Sequence, residues 1–383
     1  MRGHLEERAK GTWRAKVFAG IDSTGRKRYV TRTVHGTKRQ AQAVLNELLV
    51  EVDQGSANPD DGTFADLAER WMEMAEAELS PTTLSEYRRL LDKRILPKFG
   101  RRRVRDIRSG ELDAFYAVLL KRGGVGGEPL SAQSVRLVHA LIRRLLNQAV
   151  RWGWIAFNPA QRATQPRRRV QDLGIPAPVA VWRILFAAAD QDPDLALFLR
   201  LSVVTGARRG EICALKWTDL DTEASTLTIS RSIVDGRNDE LIEKGTKTHA
   251  SRRVSLDPAT VEELKVHRER CEEWADACGA TLPNSAYLFA QEPDGVAPWR
   301  PNRVTLAFGR LVKELGIKGV RLHDLRHFAA TQMLAAGVPV KTVSSRLGHA
   351  NAATTLNVYA HALTESDEQA ANVLAALLDP SST

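Results

Sequence analysis

Cysteine is scarce in this chain. Three occur among 383 residues, Cys213, Cys271 and Cys278, and no two form a Cys-x-x-Cys pair. That sets aside the paired-cysteine motifs, and a reducing cytoplasm fits best. Cys213 lies in an apolar helical pattern and reads as core. Long apolar runs are missing too. None approaches the roughly 18 residues of a membrane-spanning helix, and even Leu195-Ala-Leu-Phe-Leu is broken by Arg200. The first residues, Met1-Arg-Gly-His-Leu-Glu-Glu, hold no apolar stretch of the secretory type, so the expectation is a cytoplasmic protein with no membrane partner. The run Gly123-Gly-Val-Gly-Gly127 is not followed by Gly-Lys-Ser/Thr, which argues against a phosphate-cradling loop and for a flexible connection.

Positive charge, by contrast, is plentiful. With 43% hydrophobic and 26% charged residues the chain reads as soluble and globular, with length for two or three domains. The net charge is +9, and basic runs stand at Arg26-Lys-Arg28, Arg101-Arg-Arg103, Arg143-Arg144 and Arg167-Arg-Arg169. They recur in every segment instead of forming one tail. That distribution favours an extended nucleic-acid surface over a merely basic protein.

The expected architecture is multidomain and mainly α. Residues 1–55 read as a small β-sheet-plus-helix module: Trp13, Ala15, Val17 and Ala19 alternate with Arg14, Lys16 and Phe18, Asp22 to Gly25 makes a turn, and Arg26 to Val34 a second strand. Thr37 caps a helix with Ala41, Val44, Leu45, Leu48 and Leu49 as its stripe. The strand face carries Arg14, Lys16, Arg26, Lys27, Arg28 and Arg32, which reads as DNA contact in preference to a solvated face. Gln54 to Gly62 has linker composition. Residues 63–157 read as all-helical, with starts at Thr63, Ser80-Pro81, Glu111 and Ser131, and a stop before Pro97. Arg143 and Arg144 face outward from the last of these helices. Residues 158–178 hold four prolines around Arg167, Arg168 and Arg169 and read as an extended basic linker, either tracking a DNA backbone or serving as an exposed tether. Residues 179–383 form a mixed α+β domain. Its elements are an apolar helix from Leu195 stopped by Gly206, a helix from Glu211 to Lys216, strands at Leu227 to Ile233 and Arg252 to Leu256 around a polar hairpin, and helices from about Val261, Val304, Asp324, Thr342 and Asp367.

The chemistry concentrates near the C-terminal end. Four of nine histidines fall between 323 and 361, with Arg326 and Tyr359 in the same span. The transition state of phosphodiester cleavage gains negative charge, so cations and donors in a water-poor site are the main catalytic resource. Arginine suits this because its planar fork matches two phosphate oxygens. Arg208, set where one helix stops and another starts, and Arg326 are the candidates, with Glu211 placed to hold an arginine. His323 and Arg326 are three apart on a helical pattern and share a face. His327, four after His323, would also fit a metal pair with His349 or His361, but Arg326 would set a fixed charge beside the metal; no metal is expected. Tyr359 is a candidate nucleophile, since attack on phosphorus would store the bond energy in a phosphotyrosyl link and need neither ATP nor other cofactor.

Taken in order, Thr205-Gly-x-Arg208-x-x-Glu211, Lys247-Thr248 before Ser-Arg-Arg-Val-Ser-Leu256, His323-x-Leu-Arg326-His327, Leu347-Gly-His349 and Tyr359 resemble the tyrosine recombinase family of the phage-integrase type. The resemblance implies that Tyr359 forms a 3′-phosphotyrosine, that Arg208 and Arg326 clamp the scissile phosphate, and that Lys247, in preference to Lys244, protonates the leaving 5′-oxygen. It implies acid/base catalysis by His323 and a second phosphate donor in His349. Residues 63–157 resemble the family's core-binding domain and 1–55 its arm-binding module. The implied partners are double-stranded DNA at core and arm-type sites and further copies of the chain in a tetramer. An excision factor and a host DNA-bending protein are further candidate partners, in a bacterial nucleoid setting. A chromosome-dimer resolvase and a non-catalytic DNA-binding regulator are the alternative readings.

Overall fold

In the computed structural model, residues 3–21, 27–53, 62–167, 174–236, 240–245, 251–349, 351–359, 371 and 374–375 are described. Lys247, Arg26, Arg168, Arg169, His361 and nearly all of the helix expected after Asp367 lie outside them, as do the side chains of Arg28 and Tyr359. The chain divides into two compact units, Met1–Val170 and Gln171–Thr383.

The first unit begins with an antiparallel sheet in the order β1 (Gly3–Ala9), β2 (Thr12–Ile21), β3 (Lys27–His35), followed by helix α1 (Lys38–Asp53). Strand β1 carries too many polar residues for its sequence to announce it; it forms because β2 offers a full antiparallel partner. Alternation in β2 sends Ala15 and Val17 inward, where both are buried against Leu45 and Leu48 of α1. Thr37 and Gln40 cap α1 reciprocally, each side chain taking the other's backbone N–H.

Helices α2 (Phe64–Ala75), α3 (Pro81–Leu90), α4 (Leu96–Phe99), α5 (Ser109–Arg122) and α6 (Ala132–Arg151) share one apolar core that includes Leu67, Trp71, Ile95, Tyr116 and Leu145. Thr63, Ser80 and Ser131 cap their helices as their hydroxyls predict. The expected stop before Pro97 does not occur. A π-turn at Leu91–Ile95 widens the helix, and the chain runs on through Pro97 into α4. Nor are residues 158–166 an extended linker. Asn158 is buried and its Nδ2 donates to Arg143 O at 2.9 Å and Asn147 Oδ1 at 2.7 Å, while Arg136 Nη1 donates to Pro166 O at 2.9 Å. Prolines that read as punctuation therefore pack this segment back onto α5 and α6.

The second unit is built on α8 (Pro193–Thr205), which packs against α7 (Pro178–Gln191), α9 (Arg209–Cys213), α10 (Pro258–Ala277) and α12 (Asp324–Ala335). Leu197, Phe198, Leu199 and Leu201 are all buried, so α8 is apolar around most of its circumference, as a central helix must be. The strand expected over Leu227 to Ile233 is two strands in different sheets. β5 (Thr226–Ile229) joins β4 (Leu220–Asp221) and β8 (Arg252–Ser255), whereas β6 (Arg231–Asp235) pairs with β7 (Leu241–Gly245) as the hairpin. The helix expected from Glu211 to Lys216 starts earlier and is shorter, as α9. Helices α11 (Pro301–Glu314), α13 (Val340–Leu347) and α14 (Ala352–Tyr359) complete the unit. Among the described residues, no helix is long and apolar enough to cross a membrane.

A histidine inside this core meets an acid at its edge. His267 is 2% exposed, lies between the rings of Trp217 and Phe289, and approaches Leu288 O at 2.7 Å and Asp194 Oδ1 at 3.1 Å. Burial opposes its charge, but bonding to Asp194 and Cys271 overrides that and raises its pKa to about 9. A raised pKa stabilises the fold fully below the unfolded value near 6.5 and ceases to do so as pH rises through about 9. The melting temperature of the wild type should therefore exceed that of His267→Gln by most below neutral pH, with the gap closing toward pH 10 (roughly). Circular-dichroism melts across that range would show a constant gap if the pair were uncharged.

Candidate active site

The site assembles where α8 ends. The last carbonyls of a helix have no partner within it and attract cationic donors. Gly206 terminates α8 in the left-handed region, φ 62°, and its carbonyl accepts from Arg326 Nη1 at 2.5 Å. Val204 O accepts from Arg346 Nη2 at 2.8 Å. Two arginines from later in the chain are thus fastened to one helix terminus. Arg326 is 3% exposed, and Asp324, beside it, ties down the start of α12 by accepting the Arg321 N–H at 2.7 Å.

Arg208 is the N-cap residue of α9. Its backbone N–H donates to Glu211 Oε2 at 2.9 Å and its Nη1 to Glu211 Oε1 at 2.7 Å. Its Nη2 makes only a long contact, 3.5 Å, with Gly348 O. Glu211 is 2% exposed and also accepts from Arg252 Nη2 at 2.6 Å. Burial alone would raise its pKa, but the Arg252 bond and charge, then those of Arg208, carry it below the ordinary carboxylate value. Glu211 is therefore an anion held between two cations.

The Leu-Gly-His motif closes the site from α13. Leu347 is fully buried against Gly206, where a Cβ would stand 2.5 Å from Leu347 Cδ2. Gly348, φ 68°, ends α13 and turns the chain so that His349 enters the site. The His349 Nδ1 lies 2.8 Å from the Thr355 hydroxyl, and Thr355 is buried on α14. Position 359, the last of α14, is one helical turn further on.

Charge couples these groups. His323, the N-cap residue of α12, is open to solvent on one side, but the protein packed around it disfavours the imidazolium, and His327, Arg326 and Arg208 add to this; its pKa falls to about 4. His349 also falls to about 4, through burial first and then Arg326, Arg208 and Arg252. Arg208, His323, Arg326 and His349 thus occupy one electropositive neighbourhood in which both imidazoles are neutral at pH 7. His323 and His327 meet edge to face at 4.9 Å, and among the described residues no group of three His, Cys, Asp or Glu side chains could hold a metal ion. Lys244 lies in β7 across from Ser232, half-buried, with its pKa lowered by burial.

The expected DNA-contacting residues are placed unevenly. Arg14 and Lys16 share the open sheet face, Lys16 Nζ lying 4.1 Å from the Tyr29 ring centre. Arg32 does not share that face: it pairs with Ala15 and so stands on the side covered by α1, with its side chain exposed at the edge. Lys27 and Arg167 are exposed, as are Arg143 and Arg144 on α6. Arg144 Nη1 donates to the Tyr87 hydroxyl at 3.2 Å and its guanidinium lies over Trp71. The sequence reading missed Arg252, Arg346 and Thr355. For Arg252 a signal existed: Arg252, Val254 and Leu256 alternate with Arg253 and Ser255, so a strand that buries Val254 also turns Arg252 inward.

Residues 180–366 match the family described as "Phage integrase family", and residues 63–120 match "Phage integrase, N-terminal SAM-like domain". The chain is 27% identical to a "Tyrosine recombinase XerC-like" of Caldanaerobacter subterraneus subsp. tengcongensis, over 95% of this chain and 96% of the relative. It is 23% identical to the "ICEBs1 integrase" of Bacillus subtilis, over 96% and 98%. Among solved structures it is similar to the Tn1549 transposon integrase in complex with transposon right end DNA (TM-score 0.68, 18% identity, 82% of this chain and 100% of that one). It is also similar to a lambda integrase dimer bound to a COC′ core site (TM-score 0.58, 18% identity, 93% and 94%). At such identities these likenesses establish the fold.

Two outcomes test the geometry. His323 and His349 should titrate near 4 in the free protein, so their contribution to stability is level above about 6.5 and declines as pH falls toward 4. NMR titration of the imidazole C–H resonances with midpoints near 6.5 would contradict this. Gly206→Ala should lower stability by about 1–3 kcal/mol in denaturant titrations, since alanine would have to adopt the left-handed conformation and displace Leu347.

Proposed function

This chain belongs to the phage integrase family of tyrosine recombinases, and from that premise we propose that it cuts and rejoins double-stranded DNA at attachment sites through a 3′-phosphotyrosyl intermediate, integrating and excising a phage or other mobile element. The observation that carries the reading is the convergence of Arg208, Arg326, His323 and His349 at the end of α8, a site rich in fixed cations and neutral imidazoles. Arg208 and Arg326 hold the non-bridging oxygens of the scissile phosphate and balance the charge that grows in the transition state. The Tyr359 phenol oxygen bonds to phosphorus while the bond to the 5′-oxygen breaks. Neutral His323 accepts the phenolic proton, and Lys247 gives a proton to the leaving 5′-oxygen. His349 Nδ1 is taken up by the Thr355 hydroxyl, which leaves the Nε2 side of the imidazole to donate to the phosphate. Religation runs the same steps with an incoming 5′-hydroxyl.

The N-terminal sheet module reads arm-type sites, using Arg14, Lys16, Arg26, Lys27 and Arg28; Arg32, on the side covered by α1, is not among them. The helical domain contacts the core site with Arg143 and Arg144, and Arg167, Arg168 and Arg169 contact the DNA backbone. Strand exchange is carried out by four copies on DNA, with an excision factor and a host DNA-bending protein as accessory partners, at the bacterial nucleoid. A chromosome-dimer resolvase is the second reading, favoured by the XerC-like relative; the basic module at 1–55 speaks for the integrase. Tyr359→Phe should leave DNA binding intact and abolish covalent adducts on a nicked suicide duplex that loses its 5′-hydroxyl fragment. Adducts formed by the phenylalanine variant would refute the assignment. Removal of residues 1–55 should abolish integration while core cleavage persists; an unchanged integration yield would favour the resolvase.

A further inference from the structure

We infer that Arg252 is a positioning residue for the phosphate clamp: wedged between Glu211 and the Leu347–Gly348–His349 turn, it divides the Glu211 carboxylate so that Arg208 keeps both a free arm and its charge for the scissile phosphate. The inference rests on the strand-cleavage reading above.

Arg252 stands in β8 across from Ile229 and is only 10% exposed. Its guanidinium reaches two elements at once. Nη2 donates to Glu211 Oε2 at 2.6 Å, and Nε donates to Arg346 O, on α13, at 2.8 Å. Gly348 is packed onto the same group, so that a Cβ there would stand 2.7 Å from Arg252 Nη1 and 3.0 Å from its Cζ. One planar side chain therefore fixes the distance between the N-terminus of α9, which carries Arg208, and the turn that delivers His349.

The consequence is electrostatic as well as geometric. A carboxylate and a single guanidinium three residues away would close into a two-pronged pair, using both arms of the arginine and neutralising it. Here Oε2 is already filled by Arg252 and the Arg208 backbone N–H, so the Arg208 side chain bonds Glu211 through Nη1 alone. Its Nη2 is left with the 3.5 Å contact to Gly348 O, which a phosphate oxygen can displace. Arg208, Arg252 and Glu211 together carry one net positive charge, which becomes available to an anion. Arg252 also contributes to holding His349 neutral. It touches no reacting atom in this arrangement; it acts through Arg208 and His349.

The test uses the full chain and single-turnover adduct formation on nicked suicide duplexes spanning the attachment junction, one with the natural phosphodiester and one with a neutral methylphosphonate at the cleavage site. Arg252→Met should slow cleavage of the phosphodiester by about 100-fold, the scale of losing one transition-state donor, with unchanged DNA affinity. On the methylphosphonate, which lacks the charge that Arg208 neutralises, its rate should come within a few-fold of the wild type. Arg252→Lys keeps the charge but cannot bridge both partners, and should lose about tenfold on the phosphodiester. If the methionine variant fails to fold, the lysine variant carries the same comparison. Equal losses on both substrates would make Arg252 a scaffold residue and overturn the inference, as would full activity of Arg252→Met on the phosphodiester. Absence of any adduct with the wild type would instead refute the strand-cleavage reading.

Discussion

The catalytic unit depends on a buried carboxylate. Removing one charge from water costs several kcal/mol unless partners satisfy it, and Glu211 is satisfied by Arg208, by Arg252 and by the backbone N–H of residue 208. Those three bonds come from α9 and β8, and Arg252 passes the constraint on to α13 through Arg346 O. A carboxylate that accepts from all of them forces three separately folded pieces of chain into one geometry. It also means that the arginines are oriented in the absence of any ligand, which is the condition under which fixed charges are most effective in catalysis.

The second constraint is the C-terminal end of α8. A central helix that is apolar almost all round has nowhere to send its final carbonyls except toward whatever packs over its end. Here that is Arg326 at Gly206 and Arg346 at Val204. The left-handed turn at Gly206 serves both tasks, ending the helix and leaving room for Leu347. The same residue thus joins core packing to site geometry, so a small volume change there propagates to an arginine.

How much of this was legible in the sequence depended on how local the cause was. Helix starts at Thr63, Ser80 and Ser131 were readable because a hydroxyl and its own next turn decide them. Arg208, His323, Arg326 and His349 were readable as an ordered set of motifs. β1 was not, because its stability comes from pairing with β2 and not from its own composition. The run of helix through Pro97 was hidden because a π-turn upstream makes room for the ring. Arg32 was assigned to the wrong sheet face since a strand's register is set by its partner. Arg252 was passed over for a related reason: an arginine in a strand is usually solvated, and only Glu211, some forty residues earlier, makes its inward position favourable.

A cluster of like charges also has a state it prefers when empty. Burial first, and then Arg208 and Arg326, disfavour a proton on either His323 or His349, so the free protein holds both imidazoles in the basic form. In the proposed reaction an arriving phosphodiester would bring negative charge into the same space and weaken that repulsion, raising the proton affinity of the histidines while the substrate is bound. On the proposed mechanism, His323 is thus ready as a base before binding and becomes better able to keep a proton once the phosphate is in place. The arginines and the imidazoles are then parts of one coupled system, and in the proposed reaction no single residue of it can be assigned an isolated share.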